Sequence, residues 1–174
     1  MKHEFAYERG VAPFVETNGW TVACMETLAV AGAVALGALI KLPLPFTPVP
    51  LTLQTLPVLL AAFAVGPRRA MAGLLLYMAA GYAGAPIFAL SFGATFGYIA
   101  GFVMAPWMVA RFRNAAVGIA AGQAVIYLCG AAWLSLWLHV SAVHAIMIGV
   151  APFLAGDLLK GAVAYKLVPH IRQS

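Results

Sequence analysis

Charged side chains are scarce in this chain. Of its 174 residues, 10 are Lys or Arg and 5 are Asp or Glu, so 9% of the sequence is charged while 64% is hydrophobic. A soluble domain carries roughly 25% charged residues, so this composition excludes a soluble globular protein and predicts an integral membrane protein. The net charge of +5 is scattered between apolar runs rather than gathered into one basic patch, and we expect no nucleic-acid partner.

Metal-binding and nucleotide-binding signals are also missing. The two cysteines, Cys24 and Cys129, lie in or near separate apolar runs and fit neither a disulfide framework nor a metal site. His139 and His144 have no third ligand beside them, so no metal is expected. The chain has no GxxxxGK[ST] phosphate loop and therefore does not hydrolyse ATP itself.

Long apolar runs fill most of the sequence. About 20 apolar residues of helix cross a bilayer, whereas the strands of a barrel alternate with period two, so these runs predict an all-α membrane domain of six transmembrane helices. Residues 1–20 are predicted to form a cytoplasmic or interfacial tail, and residues 21–174 the six-helix domain. The predicted spans are about 21–40, 51–65, 70–83, 92–111, 115–138 and 152–169. Between the first two, proline occupies four of the eight positions 43–50, which predicts a stiff extended connector.

The distribution of cations predicts the orientation in the membrane. An even number of spans places both termini on one side, and by the positive-inside rule the side with more Lys and Arg is cytoplasmic. Lys41 alone falls on the opposite face. The cations on the predicted cytoplasmic face are Lys2, Arg9, Arg68, Arg69, Arg111, Arg113, Lys166 and Arg172.

An acid and a base interrupt the last apolar run. Asp157 and Lys160 are three residues apart, so on a helix they share one face. Each ionisable group costs roughly 2.5–3.5 kcal/mol at the membrane centre, and such a pair is a functional-site hypothesis by default. Lys160 can receive a ligand carboxylate, and Asp157 can accept N–H bonds from a ligand or neutralise Lys160. The alternative is a structural ion pair that fixes helix packing.

Other polar and small residues gather at the predicted outer ends of the spans or on the first span. The topology places four polar side chains of the second, third and fourth spans near the start of the sixth, which predicts an outward-open pocket. These four residues are Gln54, Tyr77, Thr95 and Tyr98. On the first span, Ala29, Ala33 and Gly37 recur at spacing four and predict close helix approach, either within this chain or with another subunit.

The chain resembles the BioY family, the biotin-specific S components (substrate-binding membrane subunits) of energy-coupling factor transporters. The resemblance extends over about residues 21–170 in the family's order. The motifs that carry it are Pro45-Phe-Thr-Pro-Val-Pro-Leu-Thr-Leu-Gln-Thr55, Gly66-Pro-Arg68, Leu76-Tyr77, Gly81-x-x-Gly84-x-Pro86-x-Phe88, Gly97-Tyr98-x-x-Gly101-Phe102 and Pro152-Phe-x-x-Gly-Asp-Leu-Leu-Lys160.

The resemblance implies a multi-pass protein of a prokaryotic cell membrane that captures biotin from outside and is not an enzyme. It implies a transmembrane coupling protein and a pair of ATPases as partners, or a homo-oligomer if the protein acts alone, and no cofactor apart from biotin as the transported ligand. Asp157 and Lys160 are the first expected ligand contacts, followed by Gln54, Tyr77, Thr95 and Tyr98. Ala29 and Ala33 are expected to contact the coupling protein.

One segment departs from the family pattern. The stretch from Phe88 to Tyr98 is shorter than usual, and Phe96 stands where glycine is usual. Because that loop helps to cover the ligand in the family, another small carboxylate-bearing vitamin is an alternative ligand. Two alternatives belong to other classes of protein: an intramembrane enzyme that uses Asp157 and Lys160 as acid and base, and a structural or assembly protein without a ligand.

Overall fold

The protein is a bundle of α-helices with one short hairpin of β-strands. A computed structural model describes residues 19–84 and 93–171; the predicted tail up to residue 18, the motif residues Pro86 and Phe88, and Arg172 lie outside this range. The helices are α1 (Trp20–Leu39), α2 (Thr55–Ala64), α3 (Pro67–Tyr82), α4 (Phe96–Ala110), α5 (Ala115–Leu138), α6 (Ala142–Gly149) and α7 (Leu154–Ile171).

Three helical segments are long and apolar enough to cross a membrane, namely Trp20–Leu39, Ala115–Leu138 and Ala142–Ile171. The last of these joins α6 to α7 through a single 3-10 turn at Ala151–Phe153. Counted in this way, the described chain contains six helical segments, one for each predicted span. The helices Thr55–Ala64 and Phe96–Ala110 are apolar but shorter.

The boundaries of the first and fifth predicted spans agree closely with α1 and α5. The sixth segment was predicted too short, because α6 begins at Ala142, ten residues before Pro152. The second span was predicted to open at residue 51, but residues 51 and 52 form a strand and α2 begins at Thr55. The fourth was predicted to begin near 92, and α4 begins at Phe96.

The proline-rich connector forms a small antiparallel hairpin rather than a simple extended link. Strand β1 (Lys41–Leu42) pairs with β2 (Leu51–Thr52), with Lys41 opposite Thr52 and Leu42 opposite Leu51. The amide of Leu53 then donates to the carbonyls of Gly37 and Ile40 at 3.2 and 3.1 Å. The hairpin is therefore fastened to the end of α1.

Small residues let the helices pack closely. The backbone of α4 at Gly97 and Gly101 lies against α5, where an added Cβ would meet Trp133 at 2.2 Å and Ile126 Cα at 2.8 Å respectively. Glycine at these two positions therefore allows α4 and α5 to approach closely. Arg69 of α3 forms an ion pair with Glu26 of α1, both about one quarter exposed, and so links these two helices.

Candidate functional site

Asp157 and Lys160 lie in the first turns of α7 on one face, as their spacing predicts. Their side chains are only 6% and 11% exposed, and the Lys160 ammonium forms an ion pair with Asp157 Oδ1. Charges this deep inside an apolar protein lose their hydration, so they are stable only with close partners. The surrounding helices supply those partners.

The Asp157 carboxylate accepts hydrogen bonds from two other helices. Thr55 Oγ1 of α2 lies 3.2 Å from Oδ1. Gln123 Nε2 and the Tyr127 hydroxyl, both on α5, lie 3.0 and 2.6 Å from Oδ2. Hydrogen bonds to a charged group are about twice as strong as neutral ones, so these three donors and Lys160 together stabilise the buried negative charge.

Lys160 also binds the backbone of the hairpin. Its Nζ donates to the carbonyl oxygen of Thr52 at 2.7 Å. An ammonium group has three donors, and within residues 19–84 and 93–171 the structure gives it these two acceptors, the Thr52 carbonyl and Asp157. One N–H donor of Lys160 is therefore available to a ligand.

A second polar cluster joins the first at Thr52. The Thr52 hydroxyl donates to Gln54 Oε1 at 3.0 Å, and Gln54 Nε2 donates to the Tyr77 hydroxyl at 2.6 Å. Because Thr52 contacts Gln54 with its side chain and Lys160 with its carbonyl, the two clusters form one continuous network. It connects β2, α2, α3, α5 and α7.

Tyr98 contributes its ring rather than its hydroxyl. The hydroxyl donates to the carbonyl of Gly149 at 2.6 Å. The ring lies so close to α5 that a Cβ at Gly130 would fall 2.3 Å from Tyr98 Cε1. Tyr98 therefore fills a slot between α5 and α6 with its polar atom already bonded.

Thr95 is the residue before α4 and is half-buried. The neighbouring backbone is tied to α5, since Trp133 Nε1 donates to the carbonyl of Gly93 at 3.1 Å. Phe96, the bulky residue at a position where glycine was expected, packs on the Trp133 ring with centroids 4.9 Å apart. Trp133 thus fixes the position from which Thr95 faces the site.

The side chains of the polar network, together with Thr95 and Tyr98, line a cavity of about 670 Å³. Small-molecule sites are typically about 300–1,000 Å³, mostly apolar, with a few placed polar groups. All six residues predicted as ligand contacts line it, with Thr55, Gln123 and Tyr127 beside them. The apolar part of the wall includes Val49, Leu51, Ile99, Phe102, Ile126, Trp137 and Phe153.

Gln123 brings a buried amide oxygen into the site. Because a carboxylate only accepts hydrogen bonds, the Gln123 amide must turn its NH₂ group toward Asp157. Its Oε1 then has no hydrogen-bond donor among the residues that the structure describes. An unpaired buried carbonyl is costly, and a ligand N–H donor would relieve it.

The three side chains that donate to Asp157 from other helices, Thr55, Gln123 and Tyr127, were not predicted from the sequence. A signal for two of them was present, because Gln123 and Tyr127 are polar residues four apart on one face of an otherwise apolar span. Nothing in the sequence pairs either of them with Asp157.

The small residues of α1 differ in burial. Gly37 is buried, and a Cβ there would lie 3.0 Å from Gln54 Cα. Ala29 and Ala33, at steps of four residues before it, are exposed. The predicted packing within the chain therefore holds for Gly37, while Ala29 and Ala33 face outward.

The fold and the site together define a helical membrane protein with a ligand-sized cavity around a buried ion pair. The model of the BioY family matches residues 12–174. The chain belongs to the BioY family, as its motifs predicted.

Curated relatives and a solved structure agree with this assignment. The chain is 34% identical to a probable biotin transporter BioY of Pyrococcus horikoshii over 72% of this chain and 82% of the relative. It is 32% identical to a probable biotin transporter BioY of Bacillus subtilis, over 80% and 83% respectively. The crystal structure of an S-component for biotin from an ECF-type ABC transporter superposes with a TM-score of 0.80 at 19% identity, covering 92% of this chain and 96% of that one. The predicted S-component-like fold is therefore confirmed.

Proposed function

We propose that this chain is the biotin-binding subunit of an energy-coupling factor uptake transporter, capturing biotin from outside and delivering it inward. The observation that carries the proposal is the convergence of Asp157, Lys160 and Gln123 on one cavity in a member of the BioY family. The ureido ring of biotin offers two N–H donors and one carbonyl acceptor. Asp157 and Gln123 oxygens complement the donors, and the remaining N–H of Lys160 complements the acceptor.

The shape of the cavity also suits biotin. Beyond the polar cluster its wall is largely apolar, which matches the sulfur-containing ring and hydrocarbon chain of the vitamin. Ligands of this size bury most of their surface, and the apolar part of the wall supplies affinity while the few polar groups supply orientation. Gln54, Tyr77, Thr95 and Tyr98 are proposed to line the bound ligand.

Family membership makes the chain a transport component rather than an enzyme. The environment of Asp157 agrees with binding, since the side chains against its carboxylate are hydrogen-bond donors that hold it in place as an acceptor. Asp157 and Lys160 are therefore binding residues in this proposal. The alternative ligand is another small carboxylate-bearing vitamin, and competition of such vitamins with biotin for the protein tests it.

The proposed partners are a transmembrane coupling protein and a pair of ATPases. The chain lacks a phosphate-binding loop, so the energy for transport must come from another subunit. The exposed Ala29 and Ala33 on α1 give a partner helix room for close approach. Six crossings of the cell membrane with both termini cytoplasmic fit the charge distribution, with Lys41 outside.

Biotin titration of the detergent-purified protein by calorimetry tests this function. We expect tight binding by the wild type, and a loss of about 30-fold or more in Lys160→Ala and in Asp157→Asn, since truncating a buried hydrogen-bonded charge costs ~2–5 kcal/mol. Lys166→Gln is the matched control, because Lys166 is exposed on the same helix and does not line the cavity.

Two outcomes would contradict the proposal. A folded wild-type protein that binds no biotin would exclude biotin as the ligand, and a panel of nicotinate, pantothenate and lipoate would then seek the replacement. Biotin binding that survives both substitutions would place the ligand elsewhere. Gel filtration and melting temperatures establish that each variant is folded.

The orientation has its own test. In a variant with Cys24 and Cys129 replaced by serine, single cysteines at Arg113 and at Lys41 are labelled in whole cells with a membrane-impermeant maleimide. Labelling at position 41 and protection at position 113 is the expected pattern. The reverse pattern would invert the proposed topology.

A further inference from the structure

Two cations line the cavity, and they differ in burial. Lys160 is buried on α7, whereas Lys41, the first residue of β1, is exposed. Lys41 therefore lies where the cavity meets the surface, and Lys160 lies in its interior. The two are connected through the hairpin, since Lys41 pairs with Thr52 and the carbonyl of Thr52 accepts from Lys160.

Their charges are balanced differently. The acidic residues within the described ranges are Glu26 and Asp157, and each already has a cation, Arg69 and Lys160 respectively. Lys41 forms no ion pair among residues 19–84 and 93–171. It contributes an unbalanced positive charge to the cavity, while the Asp157–Lys160 pair contributes a net charge of zero.

This difference decides where an anion is most stable. A carboxylate placed against Lys160 would also face the Asp157 carboxylate, and the two negative charges repel strongly in an apolar interior. A neutral group with both donors and acceptors meets no such penalty there. At Lys41 a carboxylate meets a positive charge, and the Asp157 charge is already neutralised by Lys160.

We propose that Lys41 binds the carboxylate of the ligand at the mouth of the cavity, while the neutral polar end of the ligand faces Asp157, Lys160 and Gln123. The proposal rests on the proposed function, with biotin as the ligand, and adds the direction in which biotin lies. It also assigns the recognition of an anionic tail to a residue of the hairpin. From the sequence alone, Lys160 was the residue expected to receive the carboxylate.

The test compares biotin with biotinamide, in which a neutral amide replaces the carboxylate and the ureido ring is unchanged. Affinities of both are measured by calorimetry for the wild type and Lys41→Gln. We expect the wild type to prefer biotin by about fivefold, which is the scale of an exposed ion pair. Lys41→Gln should lose this preference and bind biotinamide as the wild type does.

The controls separate charge from shape. Lys41→Arg keeps the positive charge and should keep the preference for biotin. Lys166→Gln removes a cation that does not line the cavity and should leave both affinities unchanged. Raising the salt concentration should reduce the preference in the wild type, since exposed charges are screened.

Each result has a distinct meaning. Equal affinities of the wild type for biotin and biotinamide, or a preference for biotin that persists in Lys41→Gln, would overturn the role of Lys41 and leave the proposed function intact. A folded wild type that binds neither compound would overturn the proposed function itself. Unchanged biotinamide binding in Lys41→Gln shows that the variant is folded and its cavity intact.

Discussion

Tyr127 on α5 donates its hydroxyl to Asp157 Oδ2 on α7 across 2.6 Å. The same carboxylate accepts a hydrogen bond from the Thr55 hydroxyl of α2. Three helices that are distant in sequence therefore meet at one buried charge. The polar network is the proposed ligand site and also links these helices, so substitutions there affect both ligand binding and stability.

Removing the Tyr127 hydroxyl should destabilise the protein. In Tyr127→Phe the buried carboxylate loses its shortest neutral donor, and a hydrogen bond to a charged group contributes ~1.5–3 kcal/mol. We expect a lower melting temperature in detergent. Tyr165→Phe is the control, because Tyr165 is 53% exposed; equal melting temperatures for the two variants would show that the Tyr127 bond contributes nothing.

The contribution of the Asp157–Lys160 ion pair to stability should be separable from its contribution to biotin binding. Asp157→Asn leaves the buried Lys160 without its counter-ion, which typically costs ~3–5 kcal/mol of stability. Adding Lys160→Met removes the unpaired charge, so the double variant should melt at a higher temperature than Asp157→Asn. It should nevertheless bind no biotin. Wild-type affinity in the double variant would instead support a purely structural pair.

A methyl group at Gly130 should disturb the cavity. The Cβ of alanine would overlap the Tyr98 ring, which is held by its bond to Gly149 and cannot turn aside freely. Overpacking of this kind costs ~1–3 kcal/mol, so Gly130→Ala should lower both the melting temperature and biotin affinity. Gly32→Ala is the matched control, since a Cβ there meets nothing within 4 Å. Comparable losses in both variants would rule out the Tyr98 contact as the cause.

Large side chains on the exposed face of α1 should prevent assembly without affecting the ligand. Ala29→Trp and Ala33→Trp remove the room for a partner helix, so co-purification with coupling protein and ATPases should fall. Biotin affinity of the isolated subunit should not change. Leu128→Trp, at a position 71% exposed on α5, controls for bulk on a lipid-facing surface. Assembly that tolerates tryptophan at both alanines would exclude this face as the interface.

The sequence alone determined the number of helical segments and singled out the pair Asp157 and Lys160. A membrane-spanning helix is specified by its own stretch of sequence, because an apolar run of sufficient length forms a helix in a bilayer wherever it occurs. Helices α1 and α5 therefore appear where predicted. Asp157 and Lys160 stand out for a related reason: a charge inside such a run is costly and hence rare. Gln54, Tyr77, Thr95 and Tyr98 were placed near them by topology and motif.

Only the tertiary structure decided what each polar atom bonds to. Thr55 and Asp157 are separated by 102 residues, and no local pattern records such a contact. The same holds for the Tyr98 hydroxyl, which bonds to Gly149, and for Gly37, which is buried while Ala29 and Ala33 are exposed. Burial of apolar surface is non-directional and readable from composition, whereas hydrogen bonds are short and directional, so their partners are known only once the helices have packed.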